Sequence, residues 1–194
     1  MRYLNCPKHL SYLFLVAVLG ALQGCFPVVV AGVGAGALMA SDRRTTGTYI
    51  EDEGIEDKAI NQIGLKYKDT AHVNITSFNR HVLITGEAPN EETKADIAKI
   101  AAGVANVKAV SNELAVSGKT GFTSRSSDSI ITGDVKLRFV NNKVFAADHI
   151  KVITENGVVY LMGLVYHKEA DAAAEIASTT SGVQRVVKVF EYLD

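Results

Sequence analysis

Cysteine is scarce in this 194-residue chain, which has only Cys6 and Cys25. A disulfide framework therefore reduces to one candidate pair, and Cys6 lies in a segment that reads as disposable. Arg2 and Lys8 open the chain without an acidic residue, and Leu10 to Leu22 is almost wholly apolar before small residues lead to Cys25. That pattern is a secretory signal, residues 1–24, and its removal leaves no thiol pair. Long apolar runs are lacking too. The runs 10–22 and 26–40 both fall short of the about 20 residues that cross roughly 30 Å of hydrocarbon. Nor is there an excess of positive charge: 20 Lys and Arg face 21 Asp and Glu, and loss of Arg2 and Lys8 moves the net charge from −1 to about −3. Nonspecific affinity for nucleic acid comes from clustered cations that neutralise phosphates, so nucleic acid is not an expected partner.

Catalytic constellations are absent as well. A hydrolase needs a nucleophile beside an oriented base, and no Gly-x-Ser-x-Gly turn occurs. The four histidines beyond the signal, His72, His81, His149 and His167, are too dispersed for a zinc site. His72 and His149 hold equivalent positions, which repeat symmetry explains more simply than a metal. The scattered acidic residues read as solvated helix faces. No enzyme, cofactor or metal is expected.

Leu22-Gln23-Gly24-Cys25 resembles the bacterial lipobox, in which the signal is cut before the cysteine. The resemblance implies diacylglycerol on the thiol of Cys25 and an acyl chain on its new amino terminus. Two or more chains hold a protein on a membrane where one holds it weakly, at about 0.8 kcal/mol per buried methylene. Phe26 stands where an aspartate would imply inner-membrane retention, so the resemblance favours the outer membrane. Residues 26–40, "FPVVVAGVGAGALMA", contain three glycines in a row of alternate positions, but a dinucleotide fingerprint needs a strand before it and a βαβ unit around it. They read as a flexible or interfacial tether. Arg43 and Arg44 read as a solvated linker pair, with lipid phosphate as the other reading.

The rest of the chain contains one unit twice. "VNITSFNRHVLITGE" (73–87) superimposes on "IKVITENGVVYLMGL" (150–164), and "IAAGVANVKAVSNEL" (100–114) on "IASTTSGVQRVVKVF" (176–190). Upstream, Ile55, Ala59 and Ile63 fall on Ile131, Val135 and Phe139, the buried stripe of an amphipathic helix. Asp128 is the expected N-cap of that helix in the second copy. Two alternating strands follow in each copy, Val73/Ile75 with Val82/Ile84 and Ile150/Val152 with Val159/Leu161. Asn156-Gly157 marks a hairpin turn in the second. An alanine-rich helix near 91–104 or 168–181 and a last strand near 107–116 or 183–192 complete an αββαβ unit.

Two such units, the glycines Gly86 and Gly163 closing the hairpins, and the late "GVQRV" pattern (Gly182, Val183, Val186) resemble BON domains. In the first copy Asn106 stands where that pattern has its second glycine. The lipobox and two copies together are similar to the dual-BON outer-membrane lipoproteins of Gram-negative bacteria. The resemblance implies an α+β fold of two tandem BON domains, each a three-stranded mixed sheet against two helices. It also implies a periplasm-facing, non-enzymatic protein that binds anionic phospholipid and supports envelope integrity. The expected order is signal 1–24, lipidated cysteine and tether 25–50, first domain 51–116, linker 117–127 and second domain 128–194.

The copies differ in one respect that bears on function. On the first helix of the second unit, Ile130, Gly133, Leu137 and Val140 recur at helical spacing on the side away from the buried stripe, where the first unit has Gly54, Asp57, Asn61 and Gly64. Lys136, Arg138 and Lys143 lie close by, and Asp128 and Asp134 oppose them. Apolar side chains with flanking cations suit an anionic membrane surface, and the resemblance assigns the family's lipid-binding role to this helix. The competing reading is a protein contact or interdomain packing, which makes the chain an adaptor for envelope proteins. The outward strand positions Ile153, Val158, Tyr160 and Met162 are apolar where the first unit has Thr76, His81, Leu83 and Thr85, so this sheet face is the expected interdomain contact.

Overall fold

A computed structural model describes residues 42–118 and 122–194, so Cys25, the signal and residues 26–40 lie outside the described residues. The first unit runs α1 (Thr46–Tyr67), β1 (His72–Phe78), β2 (His81–Ala88), α2 (Glu91–Ala102), β3 (Ala109–Asn112) and β4 (Ala115–Val116). The second runs α3 (Phe122–Val140), β5 (Ile150–Glu155), β6 (Val158–Val165), α4 (His167–Ser178) and β7 (Arg185–Tyr192). In both sheets the hairpin is antiparallel and the strand after the second helix joins parallel to the hairpin's second strand, which is central.

The helical periodicity is realised as expected. Ile55, Ala59 and Ile63 of α1 meet Val82, Ile84, Ile97 and Ala101 in one core, and Ile131, Val135 and Phe139 of α3 meet Val159, Leu161, Ala170 and Ala173 in the other. Alanine on α2 and α4 leaves room for these helices to lie close on their sheets. Residues of opposite parity on the strands form a third apolar cluster. There Phe78 and Leu83 of the first unit pack with Tyr160, Met162, Leu164 and Val189 of the second. The two sheets therefore stack face to face with their helices outside, giving four layers.

Local structure departs from the sequence expectation in three places. α1 begins at Thr46, within the stretch read as tether, where the Thr45 hydroxyl accepts from the Thr48 amide at 3.1 Å. α3 begins at Phe122, so Asp128 lies inside the helix and not at its N-cap. The last strand of the first unit is broken: Leu114 turns into the core at 1% exposure, while the Asn112 side chain donates to the Lys94 carbonyl and accepts from the Leu114 amide. The Asn106 position keeps its geometry, since its φ of 72° matches the left-handed Gly182 at 85°.

Candidate functional site

The turn of each hairpin is held by an aspartate from the unit's first helix. Asp52 Oδ1 accepts the Arg80 amide at 2.7 Å and the Ser77 hydroxyl at 2.7 Å, and Oδ2 accepts the Asn79 amide at 2.8 Å. Asp128 repeats this on the Asn156 and Gly157 amides, both at 2.8 Å. Both turns carry left-handed φ at their two central residues, 51° and 66° at Asn79-Arg80 and 51° and 72° at Asn156-Gly157. That is what a tight two-residue hairpin loop requires. Asp128 is thus 6% exposed and directed into the molecule, so it does not oppose a charged surface outside. Sequence reasoning passed over this pair, although aspartate recurs at the same place in both copies.

The second of these turns fixes its hairpin against α3, the helix that bears the candidate strip. On α3, Ile130, Leu137 and Val140 are 66%, 63% and 68% exposed, and a Cβ added at Gly133 would meet nothing within 4 Å. Val144, just past the helix, is exposed as well. Lys136 and Lys143 are exposed beside this strip. Arg138 has a different task. Its guanidinium donates to the Ile176 carbonyl and the Thr180 hydroxyl at 2.7 and 2.6 Å and to the Thr179 hydroxyl at 2.9 Å, which caps the C-terminus of α4. The cations near the strip are therefore lysines.

The structure gathers Ile153, Val158, Tyr160 and Met162 into the cluster between the sheets, together with Val187 and Val189 of β7. On the first unit's side that face is mixed, with Thr85 and Glu87 each 1% exposed. Polar groups of both units meet across the seam. Asn74 Nδ2 donates to Glu155 Oε2 at 2.8 Å, Asn156 Nδ2 to Glu87 Oε1 at 2.9 Å, and Lys151 Nζ to Glu56 Oε1 at 2.9 Å. Burial raises the Glu155 carboxyl above its ordinary 4.5, assisted by the negative charges of Glu87 and Asp128 and opposed by the Asn74 donor and His72.

That shift has a measurable sign. A carboxyl raised in the folded state binds its proton more firmly there than in the unfolded chain, so ionised Glu155 costs stability as pH rises through its folded pKa, and the cost vanishes below about 4.5. Glu155→Gln should therefore be neutral or stabilising at pH 7 and equal to the parent near pH 4. Thermal melting from pH 4 to 7 checks this, and a loss of stability at pH 7 would contradict it.

Between α1 and the C-terminal end of α3 runs a groove of about 410 Å³, walled by Tyr49, Phe78, Lys136, Val140 and Lys151 among others. Among the described residues no group of three or more His, Cys, Asp or Glu is placed to hold a metal, and no helix is long and apolar enough to cross a membrane.

The BON domain model matches residues 51–118 and 127–194. The chain belongs to the BON domain family. The BON domains are accordingly the two stacked units, with α3 in the second. Across 93% of its length the chain is 46% identical to the outer membrane lipoprotein DolP of Haemophilus influenzae, 96% of which is covered. It is 36% identical to a 21 kDa hemolysin of Actinobacillus pleuropneumoniae, covering 78% of this chain and 79% of that protein. It is 26% identical to the osmotically-inducible protein Y of Escherichia coli, with 78% of each chain covered. The likeness to an outer-membrane lipoprotein over nearly the whole chain assigns this BON protein to the outer membrane.

Proposed function

We propose that this outer-membrane BON protein binds anionic phospholipid through the strip Ile130, Gly133, Leu137 and Val140 on α3, with Lys136 as the adjoining cation, and that it thereby supports outer-membrane integrity without catalysis. Diacylglycerol and an N-acyl chain on Cys25 are its anchor. The observation that carries the reading is the division of apolar surface in the second BON domain: its sheet face is used by the first domain, whereas α3 leaves three large aliphatic side chains more than 60% exposed. Such a strip marks a contact. The first BON domain has small or polar residues at the same positions.

Magnitudes favour a contact that works only near a membrane. Partial burial of three aliphatic side chains contributes about 1 kcal/mol each, and each lysine near an anionic surface about 1 kcal/mol more. That sum corresponds to roughly millimolar binding. A tether raises the local concentration to about that level, which makes so weak a contact effective.

Residues 42–194 titrated with vesicles test this. Ile130→Glu and Val140→Glu should each lower affinity for anionic vesicles at least tenfold and shift stability by less than about 0.5 kcal/mol, as expected of exposed sites. Gly133→Leu should raise affinity several-fold, since its side chain would enter open space beside Ile130 and Leu137. Salt should weaken the lysine contribution to the parent's binding. If the parent protein ignores anionic vesicles while Ile130→Glu abolishes a crosslink to an envelope protein, the strip is an adaptor surface and the lipid reading falls.

A further inference from the structure

Arg43 and Arg44 precede the first residue matched by the BON model and face different domains. The Arg43 fork donates from Nη1 to Glu169 Oε2 at 2.6 Å and from Nη2 to Oε1 at 2.8 Å. Nη1 also donates to the Leu164 carbonyl at 2.8 Å, and the guanidinium lies over the Tyr166 ring at 5.2 Å. All of these partners belong to the second BON domain. Arg44 turns the other way. Its Nη1 donates to Asp52 Oδ2 at 2.9 Å, its Nε and Nη2 hold Asp42, and its guanidinium lies 4.0 Å from the centre of the Phe78 ring and 5.1 Å from that of Tyr49. Those partners belong to the first domain and its N-terminal approach.

Both sites are built rather than incidental. The side chains of Arg44 and Asp52 are 7% and 3% exposed, and Glu169 is 12% exposed. Glu169 is already oriented, because Oε2 also accepts the Tyr166 amide at 3.0 Å at the start of α4. Two parallel charge-assisted bonds to a preorganised carboxylate are stronger and more directional than an ordinary surface pair. Meanwhile the seam they bridge contains buried Glu87 and Glu155, whose desolvation opposes docking.

We propose that Arg43 and Arg44 are a clasp: consecutive side chains that grip one BON domain each and fix the two domains in their stacked arrangement, with the chain at residues 42–44 held at the seam. The chain then enters the folded body beside the groove at the Val140 end of α3, since Arg44 lines that groove with Lys136 and Val140. Presentation of the strip toward the membrane by this entry point rests on the phospholipid reading above. The clasp itself does not.

The test uses the full lipidated chain in anionic vesicles, with spin labels at Leu65→Cys on α1 and Glu175→Cys on α4, two exposed positions. The parent should give a narrow interlabel distance distribution. Arg43→Ala should broaden it at least twofold while circular dichroism stays unchanged, and Arg43→Lys should fall between, having the charge without the fork. On a Glu169→Gln background Arg43→Ala should add little, since the partner is already weakened. Arg44→Ala risks unfolding the first domain by stranding Asp52, so the Arg43 series carries the decision. A distribution as narrow in Arg43→Ala as in the parent overturns the clasp. Broadening in Arg43→Ala together with a parent α3 that vesicles fail to protect from hydrogen exchange upholds the clasp and removes the phospholipid reading.

Discussion

Replacement of Gly86 by alanine is expected to destabilise the first BON domain by about 3 to 5 kcal/mol, enough to unfold a marginal domain. Two penalties coincide at this residue. Its φ of +114° is a conformation that residues with a side chain rarely adopt, and a Cβ there would stand 2.2 Å from the His72 carbonyl oxygen. The obstructing atom is backbone of the paired strand, in register with β2 at Val73↔Gly86 and His72↔Glu87. Relief requires β1 to lift from β2, which breaks the ladder and lowers the floor on which the second domain rests. Gly163 is the equivalent position, with a Cβ 2.5 Å from the His149 carbonyl oxygen but without the positive φ. Gly163→Ala should therefore cost less, about 2 to 3 kcal/mol. Urea unfolding of residues 42–194 checks the order, and a cost below 1 kcal/mol for Gly86→Ala would refute the steric account.

Periodicity made the cores legible in the sequence. Ile55/Ala59/Ile63 and Ile131/Val135/Phe139 are buried because a helix with apolar residues four apart has one dry side, and duplication showed the same stripe twice. The helix starts were not legible: "RRTTGTY" and "FTSRSSD" carry no apolar stripe, and of the two starts the first is closed by the Thr45 cap. Half of the interdomain seam was visible. Ile153, Val158, Tyr160 and Met162 are apolar at outward positions, but Thr85 and Glu87 look like a solvated face and are buried, with Glu87 meeting Asn156 of the other domain. The strip on α3 was visible as an asymmetry between copies. The partners of Arg138 were not legible, since a long side chain beside a strip in sequence reaches sideways to the carbonyl end of the neighbouring helix. The arginine clasp looked like linker composition because its partners, Asp52 and Glu169, are 8 and 126 residues away.

Asp52→Ala should cost about 3 to 4 kcal/mol and Asp128→Ala about 2 kcal/mol, and the difference tests what the two buried carboxylates do. In the first domain the turn is Asn79-Arg80, and Arg80 carries a side chain at φ 66°. Nothing intrinsic to arginine favours that state, so the turn depends on the Asp52 oxygens that accept both amides. Removal of the carboxylate also strands the Ser77 hydroxyl, fully buried, and one arm of Arg44. The second domain asks less of Asp128, because Asn156-Gly157 adopts left-handed φ readily and needs the aspartate mainly to satisfy two amides. Exchange of hairpin turns should shift the dependence: Arg80→Gly ought to offset part of the loss in Asp52→Ala, whereas it should change the parent by much less. Denaturation midpoints, with amide exchange at residues 80 and 157, would show it. Equal costs at the two aspartates, or no rescue by Arg80→Gly, would mean that the carboxylates serve packing of the first helix and not the backbone of the turn.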